Sequence, residues 1–209
     1  MAILNGASLF PYEVRQKGLD ELVALMRCEE ITITVMGASL FRSFVDVLGD
    51  ADTFPNLRLI RLGSETIQER DVELYKRHFP PHCLLVNGLA SGETQTIRFY
   101  CMNHDTVTTG PIVPVGYPVE DKTILLLDDD GKEVEAGQVG EIVVMSRYLA
   151  SGYWRRTGAD KCRLSPRRCS GRTAFILHRR SRPDESGWQS RVPRTKKTPE
   201  LKSAVMASI

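Results

Sequence analysis

The sequence predicts an α/β fold, in which a parallel sheet with flanking helices is followed by a small antiparallel β subdomain. Three short apolar runs, at residues 31–35, 57–62 and 83–86, are each followed at once by small or polar residues. Amphipathic stretches long enough for helices lie between these runs. Because ligands of parallel sheets bind beyond the carboxyl ends of the strands, we expect the three polar turns to meet at one sheet edge.

Apolar side chains at helical spacing predict helices around these strands. The apolar runs themselves are too short for helices, so we interpret them as strands buried on both faces. The helical sets are Leu19, Leu22, Val23 and Met26; Leu40, Phe41, Phe44 and Val45; and, more weakly, Ile67, Val72 and Tyr75.

The helical period ends near residue 109, where prolines and glycine mark an irregular crossing. Residues 122–127 and 141–145 then have the composition of strands, on either side of the polar segment 128–132 (DDDGK). We therefore predict three regions. Residues 1–107 form the α/β part of the large domain, residues 108–161 the small β subdomain, and residues 162–209 a basic tail.

Composition excludes several classes of protein. No run of about eighteen apolar residues is present, which predicts no membrane span, and the N-terminal residues do not resemble a signal peptide. The five cysteines are an odd number, which favours a reduced, cytoplasmic protein over a disulfide scaffold. The histidines and cysteines between residues 78 and 104 match no common zinc spacing.

The basic residues are concentrated at the C-terminal end. From Arg163 onward lie 12 of the 28 basic residues but only 3 of the 26 acidic ones, which leaves 16 basic and 23 acidic residues before it. Such a tail could bind nucleic acid through phosphate contacts. It is also poor in Ile, Leu and Val, so that we expect little regular structure and no packed core there.

Three motifs in order along the chain resemble those of the adenylate-forming enzyme superfamily, which contains acyl-CoA synthetases, luciferases and the adenylation domains of nonribosomal peptide synthetases. Residues 62–65 (LGSE) resemble the Gly-Gly-Glu turn that lies along the adenine. Residues 87–94 resemble the Asn-x-Tyr-Gly-Pro-Thr-Glu-Thr loop. Residues 140–144 and 152–154 resemble the Gly-Glu-Leu…Gly-Tyr-Trp segment. The resemblance covers residues 2–161 and is closest to the peptide-synthetase domains.

This resemblance implies ATP and Mg²⁺ as cofactors, a small-molecule carboxylate as substrate, and a carrier protein as partner of the parent enzyme. Glu93 matches the glutamate that helps hold Mg²⁺, a hard ion that takes oxygen ligands. On the residues alone, Glu93 would be a solvated loop carboxylate. The nucleotide-binding residues implied are Gly63, Ser64, Glu65, Asn87, Gly88, Leu89, Ala90, Ser91, Gly92 and Thr94.

The resemblance also implies a pocket for the substrate side chain. For two of its members, Val35 and Leu62, a place in the plain hydrophobic core is the alternative. Tyr153 and Trp154 are assigned to packing between the two parts of the large domain. The pocket residues are Val35, Leu62, Gly88, Thr96 and Ile97.

The chain departs from the family pattern at several points. Leu89 replaces an aromatic residue that stacks on adenine, and Gly92 replaces a threonine whose hydroxyl contacts the α-phosphate. The phosphate loop, the ribose-binding aspartate and the lysine-bearing small domain are not readable in this sequence. We therefore expect the isolated chain not to catalyse adenylation at a useful rate.

A shifted reading frame explains the tail. When the codons are read one nucleotide out of register, those permitted for residues 178–181 encode Thr-Gly-Asp-Leu. The shifted codons up to Lys196 encode residues that resemble the family's next segment, which leads to its hinge. We therefore interpret the residues after about Lys161 as an out-of-frame translation, which removes the reason to expect a nucleic-acid partner. The main hypothesis is a fragment of an AMP-forming ligase that activates an amino or fatty acid. The alternative is an interaction or nucleic-acid-binding protein that uses its basic tail.

Overall fold

The part of the chain that the structure describes forms two sheets and three α-helices. The computed structural model describes residues 3–128, 130–134, 138, 140–150 and 153–155, and residues 173–181 as backbone. A short 3₁₀ turn, Ile3–Asn5, precedes the first helix. The helices are α1 (Val14–Cys28), α2 (Ala38–Asp46) and α3 (Glu69–His78). The strands are β1 (Ile33–Gly37), β2 (Leu59–Gly63), β3 (Leu84–Ser91), β4 (Gln95–Met102), β5 (Tyr117–Pro118), β6 (Thr123–Leu127), β7 (Gly140–Ser146) and β8 (Thr173–Ser181).

The first sheet has five strands in the order β1-β2-β3-β4-β5. Strands β1, β2 and β3 pair in parallel, which confirms the parallel sheet with flanking helices. The sheet is not parallel throughout, however, because β4 and β5 are antiparallel to their neighbours. We predicted a turn after Val86, but strand β3 continues as far as Ser91. Only residues 92–94 turn the chain into β4. Backbone pairing across this hairpin extends the strand through residues whose side chains are small or polar.

The core of this region lies between the sheet and the three helices. Residues predicted from helical spacing are buried there, including Met26 of α1, Phe41 and Phe44 of α2, and Tyr75 of α3. One buried ion pair joins two helices, since Arg42 of α2 binds both carboxylate oxygens of Asp71 in α3, at 2.7 and 3.0 Å. The helical periodicity thus identified the residues that cover the sheet.

The second sheet has the order β6-β7-β8, and β6 and β7 are the two strands predicted around the DDDGK segment. In that segment the Asp128 carboxylate accepts hydrogen bonds from the amides of Asp130 and Lys132, at 3.0 and 2.8 Å. Strand β5 lies beyond residue 107, the predicted end of the α/β part, yet it pairs with β4 in the first sheet. The small β subdomain is therefore joined to the larger part through a shared sheet.

Part of the basic tail forms a strand. We expected little regular structure after Arg163, but β8, which is nine residues long, forms seven register pairs antiparallel to β7. The physical reason is that β7 has a second edge, and ladder hydrogen bonds join backbone groups of any sequence. The rest of the predicted tail lies outside the described residues. No helix in the described part of the chain is long and apolar enough to cross a membrane.

Candidate functional site

Three glycines stand side by side in the parallel strands, two at the ends of β1 and β2 and one within β3. Gly37, Gly63 and Gly88 share one register row across β1, β2 and β3. Neighbouring groups come close enough that side chains here would be crowded, since a Cβ on Gly63 would lie 3.3 Å from the carbonyl oxygen of Gly88. A Cβ on Gly37 would lie 2.6 Å from Glu65 Oε1. The polar turns after β1 and β2 therefore meet at one edge of the sheet, as predicted, whereas the third predicted turn is displaced because β3 continues to Ser91.

The turn after β2 is bound to the start of α2. The Glu65 carboxylate accepts hydrogen bonds from the backbone amide of Ser39, at 2.9 Å, and from the Ser39 hydroxyl, at 2.7 Å. A carboxylate is favourable there because the first amides of a helix have no partners inside it. Ser64 is exposed and has φ = 65°, in the left-handed region. The side chain of Glu65 thus holds the start of α2 against the turn after β2.

An arginine that belongs to none of the predicted motifs lies across one face of this sheet. Arg61 of β2 donates a hydrogen bond of 2.7 Å to the Thr96 hydroxyl on β4. Its guanidinium passes over Gly88, where an added Cβ would lie 3.1 Å from Arg61 Nε. Val35 shares the register position of Arg61 and is 69% exposed. The charge of Arg61 within an apolar run was the sequence signal that could have identified it.

The predicted pocket residues fall into two groups. Val35, Gly88 and Thr96 surround Arg61 on one face. Leu62 is completely buried in the helix-covered core, and Ile97 is completely buried in a second cluster with Ile142 and Val144. The structure therefore brings three of the five residues together and gives Leu62 the core position that was the stated alternative, whereas Val35 is not in the core.

The residues from Asn87 to Thr94 form the end of β3 and the loop after it. The buried Asn87 amide donates to the carbonyl oxygens of Val113 and Pro114, at 3.2 and 3.1 Å. The Ser91 and Thr94 hydroxyls share a hydrogen bond of 2.8 Å. Leu89 packs against the second cluster, Ala90 is exposed, and Gly92 has open space where a Cβ would stand. The polar side chains thus shape the hairpin, and the Gly92 backbone remains accessible.

Glu93 lies in this hairpin and contacts the small β subdomain. Its carboxylate accepts a hydrogen bond from the Tyr153 hydroxyl, and its carbonyl oxygen accepts one from the Ala150 amide at 2.9 Å. Tyr153 therefore joins the two parts of the chain, as predicted. Trp154 does not pack between them, because it is 85% exposed beside Arg155. The prediction for Trp154 is wrong, since most of its surface faces solvent.

The oxygen donors at Glu93 fit a magnesium ion that also binds phosphate. In the described residues no group of three or more His, Cys, Asp or Glu side chains could hold a metal ion. Mg²⁺ in nucleotide sites commonly takes only one or two protein carboxylates and completes its shell with phosphate oxygens and water. A single carboxylate oriented by a hydroxyl has the chemistry that such a site requires.

A lysine reaches the same hairpin from the segment before β6. Lys122 donates a hydrogen bond from Nζ to the carbonyl oxygen of Thr94. Burial lowers the pKa of Lys122 because its ammonium loses water contacts. Lys122 was predicted only as part of a strand, and no sequence pattern marked it as part of the site.

Comparisons with known proteins identify the family. The family model described as "AMP-binding enzyme" matches residues 1–154. Bacitracin synthase 1 of Bacillus licheniformis is 26% identical over 156 residues, which are 74% of this chain and 3% of that protein. The solved structure of PA1221, an NRPS protein containing adenylation and PCP domains, is 27% identical with a TM-score of 0.65. It is matched over 84% of this chain and 36% of that one.

A further solved structure supports the fold alone. The crystal structure of IdnL1 has a TM-score of 0.72 and is 24% identical, over 81% of this chain and 36% of that one. The chain spans only 2–3% of the length of the peptide-synthetase relatives. The curated relatives and the solved structures therefore both match this chain over only part of their own length.

Proposed function

This chain belongs to the family of AMP-binding enzymes, and from this premise we propose that it forms part of a ligase that activates a carboxylate with ATP. In this reaction a carboxylate oxygen attacks the α-phosphorus. The bond from that phosphorus to the α,β-bridging oxygen breaks, and pyrophosphate leaves with the electron pair. The products are an acyl-adenylate and pyrophosphate. The protein must bind the nucleotide, stabilise negative charge and hold the carboxylate in line.

The observation that carries the proposal is the glycine row beside the hairpin with Glu93. Gly63 and Gly88 are register partners in adjacent strands, and residues 63–64 and 90–92 carry only small side chains, so that their backbone offers a surface without bulky groups. A nucleotide lies flat against such a surface because the backbone can approach it closely. Leu89 supplies apolar contact in place of an aromatic face.

We assign Glu93 to Mg²⁺ and Tyr153 to the orientation of Glu93. When bound, Mg²⁺ neutralises charge on the phosphate oxygens. The Tyr153 hydroxyl orients the carboxylate through one lone pair, and a carboxylate offers several to a metal ion or its water. Gly88 and Thr96, with Arg61 between them, form the proposed wall for the substrate side chain.

The substrate we propose is an amino acid, with a fatty acid as the second candidate. Support comes from the relatives, which are peptide synthetases, and from the adenylation and PCP domains named for PA1221. A carrier protein is accordingly the proposed partner that accepts the acyl group. We propose a cytoplasmic location, which agrees with free thiols at Cys28, Cys83 and Cys101.

These 209 residues by themselves are proposed to contact nucleotide but not to complete the reaction. Gly92 offers no hydroxyl to the α-phosphate, and the loss of one such donor commonly costs on the order of a hundredfold in rate. Pyrophosphate exchange by the purified chain should therefore stay at background with amino or fatty acids. Exchange that Glu93→Ala abolishes would overturn this part of the proposal.

The decisive test is the Mg²⁺ dependence of ATP binding, measured by calorimetry on the full chain and on Glu93→Gln. We expect Mg²⁺ to strengthen ATP binding to the wild type and to have about tenfold less effect on the variant, because one charged ligand is lost. Binding without Mg²⁺ should be the same in both.

Glu69→Gln is the matched control. Glu69 also accepts a hydrogen bond from a hydroxyl, that of Thr108 at 2.5 Å, but it lies in α3 away from the hairpin. It should bind MgATP like the wild type. No ATP binding at millimolar concentration, or an equal Mg²⁺ effect in all three proteins, would reject the proposed function.

A further inference from the structure

Lys122 brings a positive charge to the hairpin from the other part of the chain. Its Nζ donates to the Thr94 carbonyl oxygen, and Thr94 directly follows Glu93. The side chain is half-buried, between the small β subdomain and the loop after β3. An ammonium group has three donors, and the Thr94 carbonyl accepts one of them.

This ammonium has no carboxylate partner among the described residues. The ion pairs within 4.0 Å there involve other cations, and the neighbouring Asp121 is bound by Arg147 at 3.0 Å. A half-buried cation loses part of its hydration, and such charges are usually paired with an anion. The remaining donors of Lys122 therefore suit an anionic ligand that the described residues do not supply.

We infer that Lys122 binds the phosphate chain of the nucleotide at the hairpin. This inference rests on the proposed function, which brings ATP to the same loop. Lysine binds phosphate as a compact point charge, and a charged hydrogen bond is about twice as strong as a neutral one. Gly92 lacks the side-chain donor expected in this hairpin, and Lys122 provides a stronger donor from across it. Lys122 and Glu93 then act on the phosphates together, the first directly and the second through Mg²⁺.

The competing explanation is that Lys122 only holds the hairpin against the small β subdomain. Lys76 provides the control, because it is also half-buried and donates to a backbone carbonyl, that of Thr106, at 2.7 Å. Lys76 lies in α3, and its carbonyl partner Thr106 follows β4, at the opposite end of that strand from the hairpin. Replacing either lysine removes one hydrogen bond to a carbonyl, but only Lys122 is expected to contact phosphate.

The experiment measures binding of ATP, pyrophosphate and adenosine by calorimetry to the wild type and to Lys122→Met, Lys122→Arg and Lys76→Met. Lys122→Met should weaken binding of ATP and pyrophosphate at least tenfold and leave adenosine unchanged. Lys76→Met should match the wild type for all three probes. Lys122→Arg keeps the charge and should stay within about threefold. Unchanged adenosine binding by Lys122→Met shows that its loss of phosphate binding is not caused by misfolding.

The outcomes separate this inference from the proposed function. Equal pyrophosphate and ATP affinities in wild type and Lys122→Met would overturn the inference and leave the function standing. Lys122-dependent pyrophosphate binding without any adenosine binding would support the inference and contradict the nucleotide site. Equal losses in Lys122→Met and Lys122→Arg, with binding of adenosine also lost, would show a structural role and overturn the inference. Absence of binding for all probes would reject both.

Discussion

The helix-covered strands β1–β3 and the antiparallel strands β4–β7 are stabilised in different ways. In the first region a continuous cluster of apolar side chains is buried between the sheet and three helices. In the second, only Ile97, Ile142 and Val144 form a buried cluster among the described residues. In that region long basic side chains donate hydrogen bonds to backbone carbonyl oxygens. Arg98 donates to the carbonyl oxygen of Gly116, and Lys122 donates to that of Thr94.

This difference has a functional consequence. The glycine row belongs to the packed region, so its geometry follows from the core. The hairpin with Glu93 is positioned by a few polar contacts, from Tyr153, Ala150 and Lys122. Single hydrogen bonds contribute only about 1 kcal/mol each. The position of Glu93 should therefore be much more sensitive to single substitutions than the position of Gly63.

The largest expected effect compares two leucines, one in each region. Leu85 of β3 is fully buried in the main core, whereas Leu126 of β6 is only partly buried against the second cluster. Leu85→Ala should lower the free energy of unfolding by about 2–5 kcal/mol, because it leaves a cavity. Leu126→Ala should cost clearly less. Urea denaturation measures both, and similar losses would mean that the two regions are equally packed.

The next prediction compares two ion pairs. Asp71 is buried and forms an ion pair with Arg42. Its carboxylate also accepts a hydrogen bond from the backbone amide of Gln68, at 2.8 Å, in the capping box of α3. Asp71→Ala should lower the free energy of unfolding by about 3 kcal/mol, since Arg42 and the helix amide lose their partner. Asp121→Ala removes a solvent-exposed pair with Arg147, and should have little effect. Thermal unfolding of both variants tests this, and an equal change in Tm would contradict it.

A third prediction concerns alkaline pH. Burial raises the pKa of the Cys83 thiol to about 12 from a usual value of 9.0. The unfolded chain thus releases this proton at lower pH than the folded chain, so stability is full below about pH 9 and falls as pH rises towards 12. For this one group the slope is at most about 1.4 kcal/mol per pH unit.

Cys83→Ala should reduce that slope, and Cys28→Ala, which removes an exposed thiol, should not. The slope should not vanish, because burial also raises the pKa of Tyr75. The measurement is urea denaturation at several pH values between about 8 and 11, where the unfolded thiol titrates. Identical slopes in Cys83→Ala and the wild type would contradict the assignment.

The smallest expected effect is at the turn after β2. Ser64 has φ = 65°, which glycine adopts without the steric cost that a Cβ imposes. Ser64→Gly should raise the free energy of unfolding by about 0.5–1 kcal/mol. Ser43→Gly, at an exposed position inside α2, should lower it. Changes of the same sign in the two variants would show that the conformation of Ser64 is not strained.

Sequence patterns determined the elements whose side chains repeat regularly. The positions of Leu22, Phe44 and Val72 at helical spacing predicted which faces cover the sheet, and the apolar runs predicted β1–β3 and their parallel pairing. The periodicity is sufficient there because burial of one face decides the local structure. The family resemblance added Glu93 and the glycine turns, which no periodicity marks.

Tertiary structure alone decided which side chains meet around the hairpin. Contacts between Glu93 and Tyr153, Lys122 and Thr94, and Arg61 and Thr96 join residues 28 to 60 positions apart. It also placed Leu62 and Ile97 in two cores and paired β8 with β7. Such contacts depend on how sheets pair and on which edge is open, and neither is encoded in the local pattern of apolar and polar residues.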